Sequence, residues 1–155
     1  MDQAIEVPQA LDLSFLQLHL FARLLVAGAL GSMIGLEREL SGKEAGLRTM
    51  ILICLGAALF SELSVALVAG TSGDPTRITA NIVTGIGFLG AGMILRTEGQ
   101  VRGMTTAATI WVVAAIGVAA GSGQFVRAAG TTVLVLLILT PLRWWEKRHV
   151  LPGQR

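Results

Sequence analysis

The stretch that decides the fold is Asp74–Thr109, DPTRITANIVTGIGFLGAGMILRTEGQVRGMTTAAT. It opens with an acidic residue, a proline and an arginine, and continues as an apolar run rich in glycine. A short basic turn follows, and threonines lead back into apolar sequence. This order is typical of two closely packed membrane helices with polar groups at each end. We therefore expect the rest of the chain to form further spans around this hairpin.

Composition supports a membrane protein. The chain has 155 residues, of which 53% are hydrophobic and 14% are charged, whereas soluble domains carry about 25% charged residues. The charges are also segregated, which leaves long apolar windows that suit a lipid bilayer. The sequence therefore predicts an all-α, polytopic membrane helix bundle. The net charge of +2 is too small to indicate a nucleic-acid partner.

Five spans are predicted, because apolar runs of about 20 residues are needed to cross the hydrocarbon core. They lie at about 15–37, 47–69, 76–95, 104–120 and 125–142. Together they form a transmembrane domain over residues 1–145, followed by a short basic tail over 146–155. The first dozen residues are acidic and carry no Lys or Arg, so we expect no cleavable signal peptide.

The distribution of basic residues predicts the orientation of the spans. One side of the predicted membrane domain carries Arg38, Lys43, Arg48, Arg96, Arg102, Arg143, Lys147, Arg148 and Arg155. The other side carries only Arg77 and Arg127. Because cytoplasmic loops are enriched in Lys and Arg, we expect the N-terminus outside and the C-terminus in the cytoplasm.

The glycines of the third span match a nucleotide-binding motif but lack the strand and soluble helix that normally flank it. Gly85–Gly90 matches G-x-G-x-x-G, but that motif binds dinucleotides only between a strand and a soluble helix. Inside an apolar span, small residues instead allow helices to approach closely. The predicted helix-packing glycines are Gly31, Gly35, Gly85, Gly87, Gly90 and Gly92.

Four polar residues form a predicted outer cluster: Glu62, Asp74, Arg77 and Asn81. Glu62 lies well inside the second span, where an ionised carboxylate is costly unless it is paired, protonated or in contact with water. Arg23 or Arg77 is the expected partner. The cluster is thus either a structural ion pair or a site for a cation or proton.

A predicted inner cluster lies at the opposite end and comprises Glu37, Arg48, Arg102, Thr105 and Thr106. Two spans begin here, and the free amides and dipole of a helix N-terminus favour an anion. A lipid phosphate, a partner's acidic group or Glu37 itself could supply that anion. An ion pair between Glu37 and Arg48 is the plain structural alternative.

The sequence gives little support for an enzyme or a cofactor. Cys54 is the single cysteine, and His19 and His149 have no metal-ligand neighbours at useful spacing. Mg²⁺ would need oxygen ligands, but the carboxylates near the spans, Glu37, Glu39, Glu62 and Asp74, divide between opposite faces. We therefore expect no enzymatic activity and no cofactor, with Mg²⁺ left open but without a clear ligand cage.

With these residues identified, the chain closely resembles the MgtC/SapB family of bacterial membrane proteins. Four blocks carry the resemblance: Gly31–Glu39 (GSMIGLERE), Lys43–Phe60 (KEAGLRTMILICLGAALF), Asp74–Ile94 and Val101–Ala115 (VRGMTTAATIWVVAA). The resemblance implies about five spans in the bacterial inner membrane. It also implies a link to growth in low magnesium and to survival inside hosts.

The resemblance also maps the family's polar positions onto Glu37, Arg48, Asp74, Arg77, Asn81, Arg102 and Thr106. Asn81 is a mild departure, since Gln or a similar amide is expected there. Many family members carry a soluble C-terminal domain after the spans. Because this sequence ends at Arg155, we expect the chain to act without that domain.

Two main functional hypotheses follow, together with a third that has less support. The first is a non-enzymatic protein that contacts itself, as a homo-oligomer with a dimer favoured, or contacts another inner-membrane complex. For the family, modulation of membrane proteins that include the ATP synthase is one such reading. The second is an oligomeric transporter or channel for Mg²⁺ or H⁺. The third is a lipid-binding protein that uses the inner Arg/Thr cluster.

Overall fold

The computed structural model of the chain describes residues 13–69, 72–97 and 100–149. Within them, five helices and one two-stranded hairpin follow one another along the chain. They are α1 (Leu13–Leu40), α2 (Leu47–Val68), α3 (Thr76–Gly92), β1 (Leu95–Thr97), β2 (Gln100–Arg102), α4 (Met104–Gly121) and α5 (Phe125–His149). The predicted all-α membrane bundle is confirmed. Helix α5 continues past the predicted end of the fifth span, and the tail from residue 150 onward lies outside the described residues.

Three helices are long and apolar enough to cross a membrane: Leu18–Leu40 within α1, α2 over its whole length, and α4. A shorter apolar helical segment covers Phe125–Thr140 in α5. Helix α3 has 17 residues, which at a rise of about 1.5 Å per residue gives about 25 Å. It is therefore slightly shorter than the hydrocarbon core of about 30 Å.

Helix α3 ends three residues before the predicted end of the third span, because the chain there turns into a β-hairpin. Leu95 pairs with Arg102 and Thr97 pairs with Gln100 in antiparallel register. Gly103 follows the second strand of the hairpin and has a positive φ of 86°. A Cβ atom at Gly103 would lie 1.9 Å from the carbonyl oxygen of Met93. A residue with a side chain therefore cannot occupy this position without moving the end of α3.

Helix α4 is the centre of the bundle and contacts each of the other four helices. In α4, 56% of the residues are buried, against 22% and 28% in the apolar windows of α1 and α2. Its buried apolar side chains, such as Ile110, Val113 and Ile116, pack with Met50, Cys54 and Ile34 from the neighbouring helices.

The closest helix contact joins α4 to α2, which run parallel at this point. A Cβ atom at Gly117 would lie 2.3 Å from the carbonyl oxygen of Cys54, and one at Gly121 would lie 2.2 Å from that of Ala58. Both distances are far too short for real Cβ atoms. The two glycines, four residues apart on one helix face, therefore set the α2–α4 distance.

The two predicted packing glycines of the first span, Gly31 and Gly35, lie against α2. A Cβ atom at Gly31 would lie 2.8 Å from the Cβ atom of Cys54, and one at Gly35 would lie 2.8 Å from the Cα atom of Leu47. Cys54 itself is fully buried, between Gly31 of α1 and Gly117 of α4. Cys54 is thus a small buried residue at the contact of three helices.

The glycines of α3 behave differently. Within a single chain, a Cβ atom at Gly85, Gly87 or Gly92 would meet nothing within 4 Å. Gly90 alone among the predicted α3 glycines faces a helix, with Ala107 of α4 at an ordinary 3.7 Å. The prediction of close packing is therefore wrong for Gly85, Gly87 and Gly92 within one chain. The reason is that α3 lies at the edge of the bundle and turns most of its surface outward.

Replacing Gly117 with alanine should destabilise the bundle, because the new methyl group must push α4 away from the α2 backbone. We expect a loss of about 1–3 kcal/mol, typical of overpacking, seen as a lower melting temperature in detergent. Gly130→Ala is the matched control, since a Cβ atom there meets nothing within 4 Å and alanine favours a helix. Equal melting temperatures for the two variants would contradict the packing assigned to Gly117.

Candidate functional site

At the predicted outer end, Arg23 binds the C-terminus of α4 rather than a carboxylate. Its Nη1 atom donates a hydrogen bond of 2.9 Å to the carbonyl oxygen of Gly121. The last carbonyl groups of a helix lack partners within the helix and carry partial negative charge. Arg23 thus joins the first half of α1 to the end of α4.

Serine hydroxyls add further bonds between helices at this end. Ser61 of α2 donates to the carbonyl oxygen of Val118 at 3.1 Å and lies 2.8 Å from the hydroxyl of Ser122. Ser64 donates to the carbonyl oxygen of Pro75, just before α3. Because both serines are buried, these bonds satisfy polar groups that would otherwise be costly in an apolar setting.

Asp74 organises the beginning of α3. Its carboxylate accepts hydrogen bonds from the backbone amide of Thr76 at 2.8 Å and from the Thr76 hydroxyl at 2.7 Å. These bonds, together with the charge of nearby Arg77, lower the pKa of the Asp74 carboxyl below its ordinary value. The carboxylate form is the one that holds the helix start, so this stabilisation is lost only as the pH falls through that lowered pKa.

The four residues of the predicted outer cluster do not converge on one site. Glu62 is half-buried in α2, Arg77 is exposed, and Asn81 faces a groove between α2 and α3. Among the described residues, no ion pair joins Glu62 to Arg23 or Arg77. The expected ion pair is therefore not formed, since Arg23 is engaged with the α4 terminus and Asp74 caps α3.

At the predicted inner end, Glu37 pairs with its neighbour Arg38. The guanidinium of Arg38 contacts one carboxylate oxygen of Glu37, and Ser41 donates to the other at 2.7 Å. Arg38 is only 2% exposed and is the largest fully buried side chain of the described residues. Arg48, the predicted partner of Glu37, is exposed and has no ion pair in the described part of the chain. The alternative of a Glu37–Arg48 ion pair is therefore not observed among the described residues.

Glu39 occupies the N-terminus of α2. Its carboxylate accepts a hydrogen bond of 2.8 Å from the backbone amide of Leu47. A Cβ atom at Gly46 would lie 2.0 Å from this carboxylate, so any larger residue there would have to displace the end of the Glu39 side chain. One of the two predicted anion-binding helix starts is thus filled by the protein's own carboxylate.

The remaining inner-cluster residues, Arg102, Thr105 and Thr106, do come together. They line a cavity of about 350 Å³ with Lys43 and Glu44 of the α1–α2 loop and with the hairpin end. Lys43 was not among the site residues predicted from the sequence. Its signal was available, because Lys43 lies in the turn of one hairpin and Arg102 in that of the next, on the same predicted side of the membrane.

A groove of about 560 Å³ lies between α2 and α3. Its walls are apolar except for Asn81, and Gly56 of α2 and Gly85 of α3 widen it. The other lining residues are Leu52, Ile53, Ala57, Phe60, Ile78, Ile82, Ile86 and Leu89. The groove therefore suits an apolar side chain or helix better than a hydrated ion.

No group of three or more His, Cys, Asp or Glu side chains that could hold a metal ion occurs in residues 13–69, 72–97 and 100–149. The carboxylates are instead distributed along the bundle. Glu37 and Glu39 bind within the chain at one end, whereas Glu62 and Asp74 lie toward the other.

Apolar helices joined by glycine contacts, with polar bonds at both ends, define a small helical membrane protein. The chain belongs to the MgtC family, whose model matches residues 24–148. It is 48% identical over 125 residues to the protein MgtC of Brucella abortus (strain 2308), an alignment that covers 81% of this chain and 52% of the relative. No solved structure matches the chain significantly.

Two further relatives show the same extent of similarity. Protein MgtC of Salmonella typhimurium (strain LT2) is 51% identical over 114 residues, which cover 73% of this chain and 48% of that protein. YhiD of Escherichia coli (strain K12), whose name describes it as a candidate magnesium transporter, is 46% identical over 123 residues, covering 76% and 57%. The chain thus spans about half the length of the curated relatives it matches.

Removing Arg38 should destabilise the protein more than removing any exposed arginine. Arg38→Met removes the guanidinium that contacts the Glu37 carboxylate in a poorly solvated position, which costs about 3 kcal/mol. We expect the double variant Glu37→Gln/Arg38→Met to recover most of this loss in thermal unfolding. Arg48→Met is the control and should change stability by less than about 0.5 kcal/mol. A double variant no more stable than Arg38→Met would contradict the pairing.

Proposed function

We propose that this protein is a non-enzymatic component of the bacterial inner membrane that acts by binding a helix of another membrane protein. The binding surface is the outward face of α3 together with the α2–α3 groove, and is called the α3 face below. In this proposal the N-terminus lies outside and the C-terminus lies in the cytoplasm. The uncovered glycines of α3 are the observation that carries the proposal.

Glycine is a poor choice for a helix surface that meets only lipid. Each glycine weakens a helix by about 1 kcal/mol relative to alanine, and Gly85, Gly87 and Gly92 gain no contact within the chain in return. Glycines in membrane helices allow a second backbone to approach. At Gly31 and Gly117 this chain uses glycine in that way, which supports the same role for the α3 face.

The large side chains around these glycines fit the same interpretation. Phe88 is 81% exposed, and Leu89 and Val83 are also exposed on α3. Exposed apolar residues alone are ordinary in a membrane protein, since lipid tails solvate them. Here Leu89 lines the apolar α2–α3 groove together with Asn81, and Phe88 and Val83 extend the exposed apolar surface of α3 beyond it. Glycines next to large side chains leave grooves on a helix surface, and the side chains of a partner helix can pack into such grooves.

A second copy of this chain is the alternative occupant of the α3 face. A homodimer through α3 would cover the same glycines without another protein. The mass of a cross-linked product distinguishes the two, because a self-adduct has twice the mass of the chain. Either occupant keeps the function in helix contact rather than in catalysis.

Gly87→Leu should disrupt partner binding while leaving the chain inserted and folded, because position 87 meets nothing within the chain. We expect recovery of the partner in chemical cross-linking of native membranes to fall at least about tenfold, the effect of losing a well-packed contact. Gly130→Leu on α5, where a Cβ atom also meets nothing within 4 Å, is the matched control. Unchanged cross-linking in Gly87→Leu, with normal expression, would contradict the proposal.

Cation transport is the second candidate, supported by the name of YhiD and by Glu62. This half-buried carboxylate of α2 has no ion-pair partner among the described residues, and such residues in membrane helices often mark ion pathways.

If the protein transports Mg²⁺, liposomes containing it should show Mg²⁺ flux that Glu62→Gln abolishes. Absence of flux in both wild type and variant would leave helix binding as the function.

A further inference from the structure

The cavity at the N-terminus of α4 combines several groups that favour an anion. It has a volume of about 350 Å³ and opens between the α1–α2 loop and the β-hairpin. Polar and charged side chains form much of its wall: Lys43, Glu44, Arg102, Thr105 and Thr106. We call it the α4 cavity.

Backbone amides are the first group. The amide of Ala107 bonds to the carbonyl oxygen of Gly103 at 2.8 Å, whereas those of Met104, Thr105 and Thr106 have no backbone acceptor in the described part of the chain. Gly103, with its positive φ, turns the chain into the helix at this point. These amides carry the positive end of the dipole of an 18-residue helix, which attracts negative charge.

The hydroxyl of Thr106 is the second and independent group. Thr106 is only 4% exposed, yet its hydroxyl makes no hydrogen bond with any described residue. No polar side-chain atom of the described residues is both sealed from solvent and without a partner, so this oxygen must open onto the cavity that Thr106 lines. The Thr106 hydroxyl belongs to a residue that is more than nine-tenths buried, has no protein partner, and is therefore free to bind a group that enters the cavity.

Thr109 shows what a threonine without such a role does on the same helix. It is equally buried, but its hydroxyl donates to the carbonyl oxygen of Thr105 at 2.8 Å. Thr132 of α5 likewise donates to Ala128 at 2.9 Å. The other two buried threonines therefore satisfy their hydroxyls on their own helix, and Thr106 does not.

Charged side chains are the third set of groups that favour an anion. Lys43 and Arg102 line the cavity, and neither has a carboxylate within 4 Å among the described residues. Glu44 also lines the cavity and opposes them, so the net charge of its wall is positive by one. At the start of α2, by contrast, Glu39 already neutralises the helix terminus.

We propose that the α4 cavity binds a phosphate group, held by the first amides of α4, the Thr106 hydroxyl, Lys43 and Arg102. A phosphate offers several acceptor oxygens at once, which matches donors that converge from a helix start and from two flexible cations. The same chemistry can come from a phospholipid headgroup at the membrane surface or from soluble phosphate. Either source would link the hairpin end to the α1–α2 loop.

The test measures binding of two probes to the purified full chain. Inorganic phosphate is titrated by calorimetry, and phosphatidylglycerol retention is measured by native mass spectrometry from mixed vesicles with phosphatidylcholine. Thr106→Val should weaken binding about fivefold and Arg102→Gln about tenfold, as expected for a neutral and a charged hydrogen bond. Glu44→Gln should strengthen binding, because it removes the opposing charge.

Thr109→Val and Arg127→Gln are the matched controls and should bind as the wild type does. Weakening of inorganic phosphate binding by Thr106→Val and Arg102→Gln supports the site with soluble phosphate. Weakening of phosphatidylglycerol retention alone supports it with a lipid headgroup. The proposal is overturned if the wild type binds neither probe, or if the controls weaken binding as much as the site variants. Arg102 is exposed, so its variant tests the site even if Thr106→Val does not fold.

Discussion

The close contact between the backbones of α2 and α4 is the constraint on which the rest of the bundle depends. At Gly117 and Gly121 the α4 backbone lies directly against carbonyl oxygens of α2. This approach makes α4 the central helix, with α1 and α5 on its other sides. Helix α3, which is shorter and tied to α4 by the hairpin, is left at the edge. An uncovered α3 face is therefore a consequence of how α4 is buried.

Polar groups at the two ends of the bundle mostly satisfy helix termini. Arg23 binds the last turn of α4, Glu39 binds the first turn of α2, and Asp74 binds the first turn of α3. Unpaired backbone groups at helix ends are costly where water is scarce, so the few charges of the chain are used there. The start of α4 differs because no carboxylate of the described residues hydrogen-bonds to it, although Glu44 lies nearby.

The sequence predicted the fold well and the side-chain partners poorly. The lengths of the apolar runs and the glycine-rich turns between them were enough to predict where the helices lie. The four-residue spacing of Gly31 and Gly35 predicted that these glycines pack on α2. The same reasoning could have found Gly117 and Gly121, which have that spacing in the fourth span. The ion-pair and hydrogen-bond partners of the charged side chains could not be predicted, because several carboxylates were possible partners for each cation. Which contact forms depends on the backbone groups at helix ends that lack partners within the helix. Arg23 is the clearest case.

Helix α3 shows a second limit of sequence analysis. Its glycines predict close packing, but a glycine pattern does not tell whether the partner helix belongs to the same chain. In this chain Gly90 faces α4 and Gly87 faces outward. The three-dimensional arrangement is needed to separate the two, and it turns a packing prediction into a prediction about a binding surface.

The most direct test of the account is photo-cross-linking from α3 in intact membranes, with a photoreactive amino acid at position 88. Phe88 is 81% exposed, and Leu134 of α5, at 61% exposure, provides the comparison position. If a partner helix covers the α3 face, position 88 should give a protein adduct of defined mass that Gly87→Leu removes, and position 134 should give mainly lipid adducts. Lipid adducts alone from both positions would show that the α3 face meets only the bilayer, and would contradict the account.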